Sequence, residues 1–425
     1  MAAATEQVSV PARTEQVSRP TRTEKFSMPA PTDTTPDRTD VIVVGAGPVG
    51  LLLAGDLRRA GAHVTVLEQL TAPTTESRAS TLHTRTMDIL AERGLLDRLA
   101  PLPDGGPGHF GGLPLDLRAA APGHPYAGQR KCPQTRLEAA LYTWATGLGA
   151  RVRRGHAVTG LRQYPDRVVV SGIELGGGTR QFAASYVVGC DGERSTVRQL
   201  AGFDFPGDDA TVEMLRADVA GIGVPNRRFE RHPHGLATAH RWPDGTTRIM
   251  VHLHGAVPGP RTGPPAFDEV VAAWAKVTGE DIGHGTPVWL DAFDDTSRQA
   301  DRYVKGRVVL AGDAAHVQMP VGGQALNLGL QDAAALGHRL AGLATGRSPQ
   351  AGLDDYDRLR HRVGARTLTG IRAQSRLLLG GPEVEGLRAV LAELLGLDEA
   401  CGHLARVISG VDVFPTPHDS PGVAA

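Results

Sequence analysis

Apolar and polar positions divide the chain into segments of different period. Val41 to Val44 form a short continuous apolar run, the pattern of a buried strand, and ordered structure is expected to begin at Asp40. An apolar-periodic stretch from about Pro48 to Ala60 predicts a helix that Gly61 ends, and His63 to Glu68 predicts the next strand. Together they read as a βαβ unit. Residues 101–128, rich in Gly and Pro, read as a loop that could wall a site. Residues 131–148 read as helix, and 164–173 and 180–189 as strands. Residues 211–256 alternate as strands split by polar turns, which predicts a second sheet. Residues 307–311 give one more buried strand, and 323–407 are mainly helical.

The first 39 residues have a different pattern. TEQVSVPAR, TEQVSRPTR and TEKFSMPAP repeat in tandem, with proline in every copy and few large apolar groups. Such sequence buries too little to offset its ordering entropy, so a disordered tail is expected, with a docking tag for a partner as the alternative. The expected division is a tail at 1–39, a dinucleotide-binding domain at 40–204 and 296–345, an inserted sheet domain at 205–295, C-terminal helices at 346–413 and a loose tail at 414–425. A chain of 425 residues exceeds what one core usually serves. The fold class is thus α/β (α+β mixed).

Composition removes some functions. A net charge of −1 offers no field for nucleic acid or an anionic membrane. The longest apolar run, about Val41 to Gly55, is broken by glycines and a proline and is too short to span a bilayer. Cys132, Cys190 and Cys401 are odd in number and far apart, without metal spacing, which suits a reduced cytoplasm. No metal site and no secretory signal are expected.

Three motifs carry chemistry. In Gly45-Ala46-Gly47-Pro48-Val49-Gly50, Gly45 permits a tight turn, Gly47 lets the backbone approach a pyrophosphate, and Gly50 lets helix and strand pack closely. Glu68, at the end of the next strand, suits a ribose hydroxyl. The motif alone does not separate FAD from NAD. In Gly189 to Arg198 (GCDGERSTVR) a strand runs into Asp191, which reads equally as a turn in which Asp191 bonds its own backbone. In Gly306 to Gly337 a strand delivers Asp313, positioned to accept from a ribitol hydroxyl. Pro320 to Gln324 form a rigid-then-flexible loop, and a helix beginning near Gln324 would aim free N–H groups at charge developing near flavin N1 and O2.

With these motifs on view, the chain resembles the para-hydroxybenzoate-hydroxylase-like group A flavin monooxygenases, most closely the branch that hydroxylates aromatic polyketides. The resemblance covers residues 40–413. It rests on GAGPVG with Glu68, SRASTLHTRTMDIL (Ser77 to Leu90), PQTRLEAAL (Pro133 to Leu141), GCDGERSTVR, TSRQADRYVKGRVVLAGDAAH (Thr296 to His316), PVGGQALNLGLQDA (Pro320 to Ala333) and the helical end Glu393 to Val413. It implies a glutathione-reductase-type FAD-binding Rossmann domain and a tightly held FAD. Glu68 would meet the adenosine ribose, Arg78 and Gln134 the ribityl–pyrophosphate region, and Asp313 the ribitol. Pro320, Gly322, Gly323, Leu326 and Asn327 would line the isoalloxazine, and Asp191 is linked to both FAD and NAD(P)H. NADPH or NADH would serve as co-substrate with O2, giving a C4a-hydroperoxyflavin that hydroxylates a polycyclic aromatic or phenolic substrate. Neither nucleic acid nor membrane is expected as a partner, and the chain would be a monomer or homodimer.

The chain departs from that pattern in four ways. The thioredoxin-like C-terminal domain of many relatives is expected to be absent. Ala325 stands where Gly is common, and Ala335 and the His338-Arg339 pair stand where Asn and Trp-Lys are usual. The sequence leaves open a Baeyer–Villiger-type oxygenation, a redox-silent FAD-binding cyclase, and a non-catalytic binding partner of another oxygenase. The substrate is expected between the second sheet and the flavin. There His232, His234, His240, His252 and His254 cluster in sequence, and His252 and His254 are candidate bases toward a phenol. His316, in GDAAH, is a further candidate with a structural or flavin-positioning role favoured.

Overall fold

A computed structural model describes residues 37–75, 79–259, 261–347 and 351–412. A mostly parallel sheet forms its centre. The strand Asp37–Val44 lies between Thr179–Gly189 and Val64–Glu68, with Val308–Leu310 and Arg151–Arg154 completing the parallel set. The register aligns Val44 with Leu67 and with Gly189, and Gly189 with Leu310. The carboxyl ends of four strands therefore share one edge, which is where open α/β sheets bind ligands. All three motifs pass through that edge, at Gly45, Cys190 and Ala311.

The first strand starts at Asp37, three residues before the sequence pattern predicts, because the long partner Thr179–Gly189 extends the ladder through Asp37↔Phe182. Arg151–Arg154 and His156–Gln163 escape the pattern analysis. The first has a single apolar residue in RVRR, and its side chains alternate at the exposed edge of the sheet. The predicted strand at 164–173 spans Val168–Glu174, after a turn closed by Tyr164 N–H donating to Arg167 O at 2.8 Å.

The helix Pro48–Arg59 packs on the sheet and against the long inner helix Gln324–Ala344. Small residues make that contact close. A Cβ on Gly329 would lie 2.8 Å from the Val49 side chain, and one on Gly337 2.6 Å from Asp56 Cβ. Asp56 in turn pairs with Arg93 at 2.6 Å.

Five antiparallel strands form a second sheet in the order Arg227–His232, Gly235–Arg241, Thr247–Leu253, Glu213–Ala220 and Thr286–Asp294. One face packs Ala217, Val219, Ala237, Ile249 and Val251 against a helix, Phe267–Thr278, through Val270, Trp274 and Val277. The sequence reading did not predict this helix, although Phe267, Val270, Val271, Trp274 and Val277 follow helical spacing and Gly279 ends it in the left-handed region at φ 78°. The other face carries Met214, Leu236 and Met250 toward Met319 and Val321. It meets Ile371, Leu378 and Leu379 of the long helix Ala351–Leu379.

Residues 101–128, expected as loop, contain a short hairpin, Gly108–Phe110 with Leu113–Leu115, and a 3-10 turn, Leu117–Ala120. The final helices are Glu385–Leu395 and Asp398–Ser409. Among the described residues no helix is long and apolar enough to cross a membrane. The repeat region at the amino end lies outside the described residues.

Candidate active site

The first motif forms a cradle at the sheet edge. Gly45 turns the chain at φ 103°, and a Cβ there would lie 2.3 Å from Cys190 O. A Cβ on Gly50 would lie 2.1 Å from Gly45 O, so both positions require glycine. Gly47 differs: a Cβ there would meet nothing within 4 Å, and it stands at the uncapped start of the helix Pro48–Arg59. Open space in front of unsatisfied helix amides is what a pyrophosphate needs. The Glu68 carboxylate accepts from Ala46 N–H at 2.7 Å and Leu70 N–H at 2.8 Å. It ties the turn to the strand end, and each oxygen keeps a lone pair for a ribose hydroxyl.

Gln134 opens the helix Gln134–Gly147, its N–H bonded to Ala79 O at 2.9 Å. Arg78, expected beside it, lies outside the described residues. Asp313 is exposed in a 3-10 turn, Gly312–Ala314, directly after the strand Val308–Leu310.

Asp191 faces inward as a cap. Its carboxylate accepts from Ser195 Oγ at 2.6 Å and Val197 N–H at 3.0 Å, which organises the helix Thr196–Leu200. Burial raises its pKa, against the lowering effect of the Ser195 and Val197 bonds. Arg198 at the end of the same motif donates to Ala314 O at 3.0 Å and Glu193 O at 2.7 Å. The second motif thereby grips the turn that carries Asp313, a link the sequence reading missed.

His316 is fully buried. Its Nε2 lies 2.7 Å from Asp332, whose carboxylate also accepts Gly312 N–H at 3.1 Å and Arg360 Nε at 2.6 Å. Burial alone would raise the Asp332 pKa, but Arg360 and His316 outweigh it and hold the carboxyl below its usual range. Arg360 reaches on to Leu328 O at 3.2 Å. Asp332 and Arg360 thus clamp the Gly312–Ala314 turn and two helices together, a role no spacing in the sequence announces.

Pro320 to Gln324 form the expected loop, with Gly322 at φ 66° and Gly323 at φ 69°. The helix Gln324–Ala344 begins without a side-chain cap. Asn327 was expected to line the isoalloxazine, but its side chain is already engaged. Its Oδ1 accepts His83 N–H at 2.9 Å, and its Nδ2 donates to Thr81 O at 2.9 Å and Gly323 O at 2.7 Å. It anchors the loop to the strand Thr81–His83. Leu326 is half-buried nearby.

Around this loop, buried polar atoms have no hydrogen-bond partner: both amide atoms of Gln318, Gln324 Nε2 and Gln374 Oε1, while the buried ring of His83 faces the backbone of Gly322 and Ile408 without a well-aligned hydrogen bond. A Cβ on Gly322 would lie 3.4 Å from Gln374 Oε1 and 3.7 Å from Gln324 Nε2, which places these groups at the loop itself. Each unpaired group costs about 1–3 kcal/mol, so their concentration marks a place where a polar ligand belongs. The isoalloxazine, with its ring nitrogens and carbonyls, fits that set, and the Gly47 cradle fits the other end of FAD.

His252 is buried on the cleft face of the sheet. Its Nδ1–H donates to Glu213 O at 2.9 Å, and burial, then the neighbouring His254, lowers its pKa. The His254 ring lies 5.6 Å away, with both nitrogens unpartnered. His240 packs on Trp242 and His232 lies 3.4 Å from Glu230. The same sheet carries Arg216, paired with Asp291 and stacked 4.8 Å from Trp289 and 5.1 Å from Phe293.

Ala335, His338 and Arg339, where the chain departs from its family pattern, lie on later turns of the inner helix. Ala335 is about 16 Å from the loop by helical rise. Arg339 bonds Ala335 O at 2.7 Å and His338 is exposed. These departures concern helix packing and leave the loop unchanged.

A glycine cradle, a sheet edge of three converging motifs and a second sheet facing a left-handed loop define a flavoprotein of the aromatic-hydroxylase fold. The family model described as FAD binding domain matches residues 38–370, and the chain belongs to that family. It is 41% identical over 406 residues to the 12-dehydrotetracycline 5-monooxygenase/anhydrotetracycline 6-monooxygenase of Streptomyces rimosus, covering 90% of this chain and 79% of that one. It is 38% identical to the dialkyldecalin synthase of Streptomyces rugosporus, covering 91% and 82%. The solved structure of CabE, an aromatic hydroxylase from angucycline biosynthesis, superposes with a TM-score of 0.85 at 46% identity, covering 89% of this chain and 77% of that one. The chain is an FAD-dependent monooxygenase.

Proposed function

We propose that the protein hydroxylates a polycyclic aromatic polyketide or a related phenolic natural product, using NADPH or NADH and O2. The observation that carries this reading is the apolar face of Met214, Leu236, Met250, Phe229 and Phe293 set against Met319 and Val321 at the mouth of the glycine loop. Phe229 and Phe293 make that face partly aromatic, and a flat ring system set between it and the loop would be buried by apolar contact. Bound FAD would supply oxygen activation.

The chain's own residues hold and shield the reactants. Gly45, Gly47, Gly50 and Glu68 would seat the adenosine and pyrophosphate, with Gln134 and Asp313 along the ribityl chain. Asp191 and Arg198 act through the Gly312–Ala314 turn. Gly322 and Gly323, with Pro320 and Leu326, would line the isoalloxazine, and the amides that open the inner helix would favour negative charge developing there. The sheet face excludes water. His252, buried with its Nδ1–H on Glu213 O and the Leu379 backbone against its ring, would brace that face of the sheet beside the substrate.

The identity to a dialkyldecalin synthase favours a second reading, in which the cofactor shapes the pocket for a cyclisation. Incubation with NADPH, air and a panel of anthracyclinone, angucyclinone and tetracycline-type phenols separates the two. A product heavier by one oxygen with matching NADPH consumption supports hydroxylation; ring closure without NADPH consumption supports the cyclase.

A further inference from the structure

The helix Glu385–Leu395 has no fully buried residue. Leu387, Val390 and Leu394 are 61%, 55% and 46% exposed, and Leu397, just beyond the helix, is 57% exposed. Spacings of three and four residues set these side chains along one side of the helix. Apolar groups scattered singly over a surface are ordinary, but four in line mark a surface that another molecule covers. The body of the protein lies against a different side of the helix, where Arg388, Leu391 and Leu395 are half-buried.

The rim of the stripe is acidic. Glu393 precedes Leu394, Asp398 and Glu399 follow Leu397, and Glu383 stands before the helix; all four are exposed. Among the described residues Glu393, Asp398 and Glu399 form no ion pair. The two arginines packed against the helix are turned inward. Arg388 donates to Gly111 O at 2.7 Å and Leu377 O at 2.6 Å. Arg231 donates to Leu378 O and Gly380 O, each at 2.6 Å, and to Glu385 at 2.8 Å. On the following helix, Asp398–Ser409, the one Arg or Lys is Arg406, two turns beyond Glu399.

This charge pattern selects among occupants. A second copy of the stripe, laid in either direction, sets carboxylates opposite carboxylates, and like charges in contact disfavour it. The same rim repels an anionic membrane surface. A helix with an apolar ridge flanked by Lys or Arg satisfies both the stripe and its rim. The stripe also adjoins the wall of the cleft. Gly111, held by Arg388, lies between the hairpin strands Gly108–Phe110 and Leu113–Leu115. A Cβ on the next residue, Gly112, would lie 3.6 Å from Phe229 Cβ and 3.8 Å from Arg388 Nη2. Phe229 belongs to the apolar face with Met319 and Val321.

We infer that the stripe from Leu387 to Leu397 is a docking site for a partner protein that presents a basic amphipathic helix. The partner would sit next to the cleft wall. That placement gains its meaning from the substrate reading above; the docking itself does not depend on it.

The test uses the FAD-loaded full chain and two labelled peptides of about 18 residues, or about five helical turns. In one, leucines at helical spacing are flanked by lysines; in the other, glutamates replace the lysines. Fluorescence anisotropy should show the lysine peptide bound at least about tenfold more tightly, with the difference shrinking as salt rises toward about 1 M. Val390→Gln and Leu394→Gln change exposed groups, and each should weaken the lysine peptide roughly tenfold, as removal of one packed apolar contact does. Retained flavin absorbance and an unchanged melting temperature show that the variants are folded. Glu393→Lys combined with Glu399→Lys should reverse the preference between the peptides. Equal binding of both peptides overturns the inference, as does binding of neither, or a lysine-peptide affinity that neither stripe variant changes. A wild-type chain that sediments as a dimer and that Leu394→Gln makes monomeric overturns it in favour of a second copy on the stripe.

Discussion

Asp332 offers the most quantitative check on how the cofactor edge is built. Its fully buried carboxylate satisfies three donors: Gly312 N–H, His316 Nε2 and Arg360 Nε. Asp332→Asn keeps the shape but removes the charge that balances Arg360. Removing one partner of a buried pair costs about 3–5 kcal/mol, because the other charge is left uncompensated. Urea unfolding of the FAD-loaded protein, with the same slope for both forms, should show a loss in that range. The loss should concentrate at the cofactor, since the Gly312–Ala314 turn carries Asp313: FAD should dissociate at lower urea than global unfolding. Asp332→Leu combined with Arg360→Met should cost less than Asp332→Asn alone, because no buried charge is then stranded. Acid should mimic the single variant. The Asp332 pKa is held below 3.8, so its stabilisation is present above the unfolded value and is lost as pH falls through the lower folded one. A loss below about 1 kcal/mol for Asp332→Asn, or a double variant worse than the single one, would refute the clamp.

Other perturbations separate folding from cofactor binding. Gly47→Ala should leave stability nearly unchanged, because its Cβ meets nothing, yet weaken FAD roughly tenfold or more by intruding on the pyrophosphate, as fluorescence of released flavin would show. Gly45→Ala should fail to give soluble flavoprotein, since its Cβ would lie 2.3 Å from Cys190 O at a positive φ; a yellow, soluble variant would contradict the geometry. Buried His83 is protonated at about 4 in the fold and near 6.5 when unfolded, so stability should drop on the order of 3 kcal/mol as pH falls from about 6.5 to 4. His83→Phe should flatten that slope in calorimetry, and an unchanged slope would exclude His83 as its source.

Most parts of this fold that follow a local period were legible in the sequence, with the helix Phe267–Thr278 the exception. The βαβ unit around GAGPVG and the strand before Gly312 declared themselves because buried parallel strands read as apolar runs. Arg151–Arg154 did not, since an exposed edge strand lacks that run. Site legibility split the same way. Gly45 and Gly50 were readable because a required backbone conformation demands glycine. Asn327 was expected to line the cofactor, but its side chain braces its neighbour Gly323 to Thr81 and His83, which lie 246 and 244 residues away, a distance that spacing cannot foretell. Asp332 and Arg198 were missed for the same reason: their meaning lies in partners brought together by the tertiary fold.

The central claim is tested most directly by purifying the protein with its flavin, removing oxygen, adding NADPH with and without a polycyclic phenol, and then admitting air. The account predicts loss of the absorbance near ~450 nm, faster with the phenol present, and recovery in air with a product heavier by one oxygen atom. A flavin that NADPH does not reduce with any phenol would contradict it, and a protein that takes up no FAD would contradict the site itself.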